Sequence, residues 1–422
     1  MLTTASTELI NTMPHSHQNR IQAPQLAAVV VACIALFTDM LVYGILIPLL
    51  PLMPAVSRSG PAATGLLFAA YAGMMIIVTP LAGRFVDRRG PRGPLLAALL
   101  GLGMACLLFA VGGPYWLLLV SRLLQGAAAG LGWVASLALI AAAIPLPKRG
   151  TYLGIAMSMV SLGTLAGPPL AGWLAREYGH AAPFVFATVV LLIDGALRIA
   201  FVRPVPPQAD DPATALDVLR VKGAWPVVIL IAVGSGVTSM IEPILPVQLH
   251  EALGLDSVQI GLLFGLLVIV AATLNPLVGA ALGRCSPRFL VFCGVLLAMA
   301  GLLLLGGGAR HAPVIAGVVI LGAAIAFLVA PASTLIGVVG ARTSPPALGG
   351  AYSLYNLAYA AGLVCGPILA GVLTETLGYS RACLALAGLV AFASIMLRNL
   401  PRRPLAAQSQ DSPHEPLADG QS

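Results

Sequence analysis

The chain has 422 residues, of which 59% are hydrophobic and only 9% charged, against about 25% charged in an ordinary globular domain. A soluble core cannot use that much apolar surface, so a water-soluble enzyme or binding module is excluded. The net charge of +7 does not point to nucleic acid, because the basic residues collect in the short turns between apolar stretches.

A membrane-spanning helix needs about 20 consecutive apolar residues. Twelve such stretches follow one another, near 26–53, 62–83, 93–113, 115–145, 151–175, 182–202, 223–249, 257–282, 287–308, 312–340, 347–374 and 380–400. The turns between them, such as "DRRGPRG" and "PLPKRG", are rich in Gly, Pro and charge. The fold class expected is all-α integral membrane, with 1–25 and 401–422 as polar tails and no separate soluble domain. With the amino terminus placed in the cytoplasm, only Arg58, Arg176, Arg310 and Arg381 fall outside. Arg122 and Arg198 fall within spans, and the rest of the 22 Lys and Arg lie inside. That bias predicts a multi-pass membrane protein with both termini cytoplasmic.

The two halves repeat. Residues 65–92 align without a gap on 261–288, with ten of 28 positions identical, among them Pro, Gly and Arg. "PLLP" at 48–51 matches "PILP" at 243–246, and "GPPLAGWL" at 167–174 matches "GPILAGVL" at 366–373. The constant spacing predicts duplication of a six-helix unit, 26–202 and 223–400, joined by a cytoplasmic loop at 203–222. Two such pseudo-repeats around a midplane site are a transporter plan. The sequence has no phosphate-binding Gly-rich loop ending in Lys-Ser/Thr. No catalytic residue, metal site or cofactor is expected, the six scattered cysteines being packing residues.

Few ionisable groups lie well inside the spans, and each costs about 2.5–3.5 kcal/mol at a helix centre. Asp39 sits in "FTDMLVYGILIP" of span 1 and Glu242 in "IEPILP" of span 7. Burial favours the neutral form of a carboxyl group, so either acid can carry a proton between sides or neutralise an organic cation. A fixed ion pair is the structural alternative. Arg122, in "SRLLQG" of span 4, can face Asp39 and tune it, or serve as a structural bridge, or snorkel to the interface. Asp194 and Arg198, four apart in "LLIDGALR", share a helix face and read as a structural pair. Gly163, Gly167 and Pro168 form a small-residue packing face with a bend, repeated at Gly366 and Pro367. Tyr43, Tyr71, Trp133, Tyr352, Tyr355, Asn356 and Tyr359 are candidates for a cavity lining that holds cations, with plain helix packing as the other reading.

These residues resemble the major facilitator superfamily. Gly83, Asp87, Arg88, Gly90 and Arg92 in "GRFVDRRGPRG" match its loop signature between spans 2 and 3, a charged latch between conformations. The second half has Gly283 where the first has Asp87, so the latch is complete only once. "SRLLQG" resembles the family's span-4 motif, and "GTLAGPPLAGWL" its span-5 antiporter motif. Within the family, "FTDMLVYGILIPLLP", "LLIDGALR" and "IEPILP" are similar to the twelve-span drug:proton antiporter branch related to vesicular amine transporters. That resemblance implies substrate and proton handling by Asp39, Arg122 and Glu242. The vesicular carriers' span-2 Lys and span-11 Asp are Tyr71 and Asn356 here, their span-10 Asp corresponds to Ala330, and their long first loop is the short "AVSRSGPAAT". Monoamine is therefore not carried over as substrate. The resemblance implies a cell membrane as the location. The expectation is a monomeric, proton-coupled exporter of a small hydrophobic or cationic compound, with protons and membrane lipid as partners. A carrier of an organic acid or natural product and a non-transporting sensor are the alternatives.

Overall fold

The computed structural model describes residues 23–144, 146–201, 215–307, 310–343 and 348–400. Most of both tails and of the joining loop lie outside them. Among the described residues the chain is helical, with no strand. The main helices are α1 Ala23–Leu49, α2 Gly60–Arg89, α3 Arg92–Val111, α4 Tyr115–Ala143, α5 Leu146–Tyr178, α6 Ala182–Phe201, α7 Ala224–Ser239, α8 Ser257–Ala281, α9 Pro287–Gly306, α10 His311–Ala341, α11 Leu348–Leu377 and α12 Tyr379–Met396. Eleven of these are long and apolar enough to cross a membrane; α7 is the shorter twelfth.

The seventh span is interrupted, where the sequence predicts an unbroken 223–249. Its helix stops at Ser239, turns through Met240–Ile244 and resumes as Leu245–Leu253. The cause is local. Pro243 and Pro246 have no N–H to give the carbonyls of Ser239 and Glu242, four residues back. Glu242 N–H instead bonds Ser239 O at 3.2 Å, a tighter turn. A second departure lies in the polar join, where Ala215–Leu219 forms a short helix. It packs against α11 and buries Val218.

The repeat seen in sequence recurs in the packing. In the first half α1 packs on α5 and α4, α2 and α3 pack on α4, and α3 packs on α6. The second half makes the matching contacts, α7 on α11 and α10, α8 and α9 on α10, and α9 on α12. The halves meet mainly through α2 with α11 and α5 with α8.

Small residues set these distances. A Cβ on Gly163 would lie 2.4 Å from Phe37 O, and one on Gly167 2.7 Å from Gly44 Cα, so both lock α5 onto α1. Gly366 likewise meets Gly236 O of α7 at 2.7 Å. The prolines that follow serve the seam between halves. A Cβ on Gly261 would sit 2.2 Å from Pro168 O, and one on Gly65 2.2 Å from Pro367 O. At the same end of the bundle, Glu375 Oε2 accepts from Ala62 N at 2.9 Å, at the start of α2. Arg176 Nη1 lies 3.8 Å from Asp256 Oδ2 there. At the opposite end, a Cβ on Gly83, Gly154 or Gly279 would meet nothing within 4 Å.

Candidate functional site

The ionisable groups inside the spans gather around Glu242 and around Asp39, with Tyr71 an electrostatic neighbour of both acids, and the first group crosses between the halves. Glu242 is held at the interruption of the seventh span with 4% of its surface exposed. Its Oε2 accepts a 2.6 Å hydrogen bond from the Tyr43 hydroxyl on α1. The Tyr43 ring lies 5.0 Å from that of Tyr71 on α2 and 5.6 Å from the Arg122 guanidinium on α4. Phe68 and Tyr71 complete an aromatic cage around that cation, at 4.7 and 5.4 Å.

Arg122 is fully buried. Nε donates to Leu67 O at 3.1 Å and Nη1 to Gln125 Oε1 at 2.8 Å, while Nη2 has no hydrogen-bond partner among the described residues. A guanidinium stays charged in proteins, and here ring faces and a carbonyl dipole carry that charge. From α11, Tyr359 is an electrostatic neighbour of Tyr71 and Glu242. It stacks on Tyr355 with ring centroids 5.9 Å apart. Tyr43 thus connects the cation of one half to the carboxylate of the other.

The second cluster lies inside the first half. Asp39 is 6% exposed, and its Oδ2 accepts from Trp133 Nε1 at 2.9 Å. Its Oδ1 has no partner among the described residues. It borders a cavity of about 10 Å³ lined from α1, α3, α4 and α6, including Leu99, Gly132 and Arg198. Arg198 makes the expected pair with Asp194, Nε to Oδ1 at 3.0 Å and Nη2 to Oδ2. It also donates through Nη1 to Leu95 O at 2.6 Å. Thr38, next to Asp39, donates to Asp194 Oδ2 at 3.1 Å.

The expected approach of Arg122 to Asp39 is corrected: no ion pair within 4 Å joins them. Trp133, which does touch Asp39, is eleven residues from Arg122 on α4, about 16 Å along the axis. Arg122 therefore reaches Tyr43, one turn beyond Asp39, and the charged neighbour of Asp39 is Arg198.

Of the other expected residues, Tyr352 is largely exposed near Gly337, and Asn356 is half-buried. Gly90 ends α2 with a φ of 72°. Arg88 is exposed, Arg92 Nη2 reaches Ile199 O at 3.5 Å, and the side chain of Asp87 lies outside what the structure describes. Among the described residues no group of His, Cys, Asp and Glu could hold a metal ion. Gln125, Phe68 and Thr38 escape sequence reasoning. Only Gln125, three residues after Arg122 and so on its helix face, carries a signal that could have found it.

The profile of the Major Facilitator Superfamily matches residues 32–247 and 227–419. The rat chromaffin granule amine transporter is 28% identical over 334 residues, 75% of this chain and 61% of that protein. The Drosophila melanogaster vesicular acetylcholine transporter is 27% identical over 350 residues, covering 79% and 59%. The chain thus spans about three fifths of the length of these relatives. Among solved structures, a bacterial homologue of the human lysosomal transporter Spinster, inward-facing and unoccupied, superposes with a TM-score of 0.71 at 16% identity, over 89% of this chain and 95% of that one. The human organic anion transporter MFSD10 gives 0.65 at 20% identity, over 89% and 100%. The six-helix packing repeats, the profile covers both halves, and the chain belongs to the Major Facilitator Superfamily.

Proposed function

We propose that this chain is a proton-coupled secondary transporter that exports a small hydrophobic or cationic compound by alternating access. The observation that carries this reading is the Tyr43–Glu242 hydrogen bond across the halves, with a caged arginine behind it. A carboxylate between two rocking bodies gains or loses its partner as they move. An ammonium or a proton on Glu242 would compete with the Tyr43 hydroxyl, and Tyr43, Tyr71 and Tyr359 offer the ring faces that suit an organic cation. The amine and acetylcholine transporters among the relatives support a cationic substrate class.

Asp39 would be the proton carrier, buried in the first half away from the substrate carboxylate. Arg122 would set the charge balance at Glu242 rather than at Asp39. An organic-anion substrate finds less support, since Arg122 lies enclosed beneath three rings. The bundle end joined by Glu375 and Arg176 would be the outer one, so the conformation described is closed to the outside. The chain would act in the cell membrane as a monomer, with the loop 83–93 latching the other state.

The test is ethidium accumulation in cells without their own efflux pumps, for wild type and Asp39→Asn, with and without a protonophore. Wild type is expected to lower accumulation, and both the protonophore and the substitution to abolish that effect. An Asp39→Asn variant that still responds to the protonophore like wild type would remove Asp39 from the proton path.

A further inference from the structure

The Asp194–Arg198 pair reads from sequence as self-contained, yet its surroundings give it a second neighbour. We infer that Arg198 is a positioning residue for Asp39, acting through one bound water in the cavity between them. This inference rests on the proposed reading only in assigning Asp39 a use; the contact itself does not depend on transport.

Three observations meet at one point. Asp39 borders the cavity, and its Oδ1 is buried with no partner among the described residues. A carboxylate oxygen left without a partner in an apolar interior is costly, so the site asks for a donor. The cavity measures about 10 Å³, close to the least that holds one water. Arg198 forms part of its wall. Arg198 has five N–H donors. Three are spent on Asp194 and Leu95, which leaves two to give. A water that accepts from Arg198 and donates to Asp39 Oδ1 has the two polar partners it needs.

The other titratable groups within electrostatic reach of Asp39 are the Tyr71 hydroxyl on α2 and the Cys106 thiol on α3, neither of them a cation, and no other charge serves. Arg122 on α4 is engaged with Leu67, Gln125 and the rings. The charged residues of α5 lie at its two ends, Arg92 begins α3, and α8 carries none between Ser257 and Ala281. Trp133 supplies a neutral donor to the other oxygen. Asp194, braced by Thr38, takes two of the guanidinium's N–H groups and fixes its plane. A proton arriving at Oδ1 would weaken the water's bond and be felt by α6, without any movement of α4.

The experiment is a pH titration of the full-length protein in liposomes, followed by the infrared carbonyl band of protonated Asp39, assigned by its loss in Asp39→Asn. Asp194→Asn with Arg198→Gln removes both charges of the pair together and leaves no orphaned ion. Its band midpoint is expected to rise by less than about one pH unit, since losing the opposite charge of Arg198 disfavours ionisation while losing the like charge of Asp194 offsets part of that. Gly132→Ala keeps every charge and fills the cavity; its Cβ would sit 3.4 Å from Ala98 Cβ, an ordinary contact. The midpoint is expected to move the same way by a smaller step. Midpoints unmoved in both variants, or moved instead by Arg122→Gln, would overturn the assignment. Ethidium transport by Asp39→Asn is scored separately, so a transporter indifferent to Asp39 refutes the functional reading while the titration still judges Arg198.

Discussion

The two buried acids differ in what surrounds them. Glu242 lies where the halves meet, at an interrupted helix, bonded to a tyrosine of the other half. Asp39 lies wholly within one half, between a tryptophan and a wall that includes Arg198. Were the halves to rock, the surroundings of Glu242 would change while those of Asp39 would travel with it as one body. A group whose partners change with conformation suits a substrate, which must be released. A group with constant partners suits a proton, whose affinity must be set by what can reach it.

The largest effect expected from this contrast is at Glu242. Glu242→Gln should weaken binding of tetraphenylphosphonium, a probe cation, by roughly 100-fold, the order of loss on truncating one member of a buried charged pair. Asp39→Asn should leave that affinity within about twofold. Equilibrium dialysis on the purified protein checks both, and equal losses would erase the distinction between the two acids. Tyr43→Phe should change the probe affinity less and in the opposite sense, raising it about tenfold, because it removes the hydroxyl that competes for the carboxylate, and a hydrogen bond to a charged group is worth about 1.5–3 kcal/mol. Wild-type affinity for the same probe should also fall as pH is lowered, since proton and cation compete for one carboxylate. Affinity independent of pH would count against Glu242 as the cation's partner.

Glu375→Gln should act least, by a few-fold, and on conformation rather than affinity. It weakens the acceptor at the start of α2 and should raise cross-linking from reagents added on the outer face. No change would mean that packing alone closes that end.

Much of the fold was legible because a bilayer imposes a simple rule on composition. Span positions followed from apolar length, and the repeated contacts of α1–α5 and α7–α11 followed from aligned "GPPLAGWL" and "GPILAGVL". The interruption at Met240–Ile244 had its signal in Pro243 and Pro246, which sequence reasoning placed inside an unbroken span. The helix Ala215–Leu219 was hidden because one buried residue, Val218, holds it in an otherwise polar stretch. Depth along a helix was harder to read. Asp39 and Arg122 both counted as central or outer, yet a shift of one turn on α1 separates a residue that meets Trp133 from one that meets Arg122. Which residue lies opposite on an antiparallel neighbour depends on the ends of both helices, and these ends vary by a turn.

The contacts of Pro168 with Gly261 and of Pro367 with Gly65 are made by bare backbone. At these two points the surfaces can roll on each other as a bearing does, since no side-chain knob has to be drawn from a hole there. Separation then costs only weak dispersion contacts, and the drag on the motion falls to the few polar ties beside them, Glu375 to the start of α2 and Arg176 to Asp256. The speed of the cycle would be governed from the rim of the molecule, far from the chemistry at its centre.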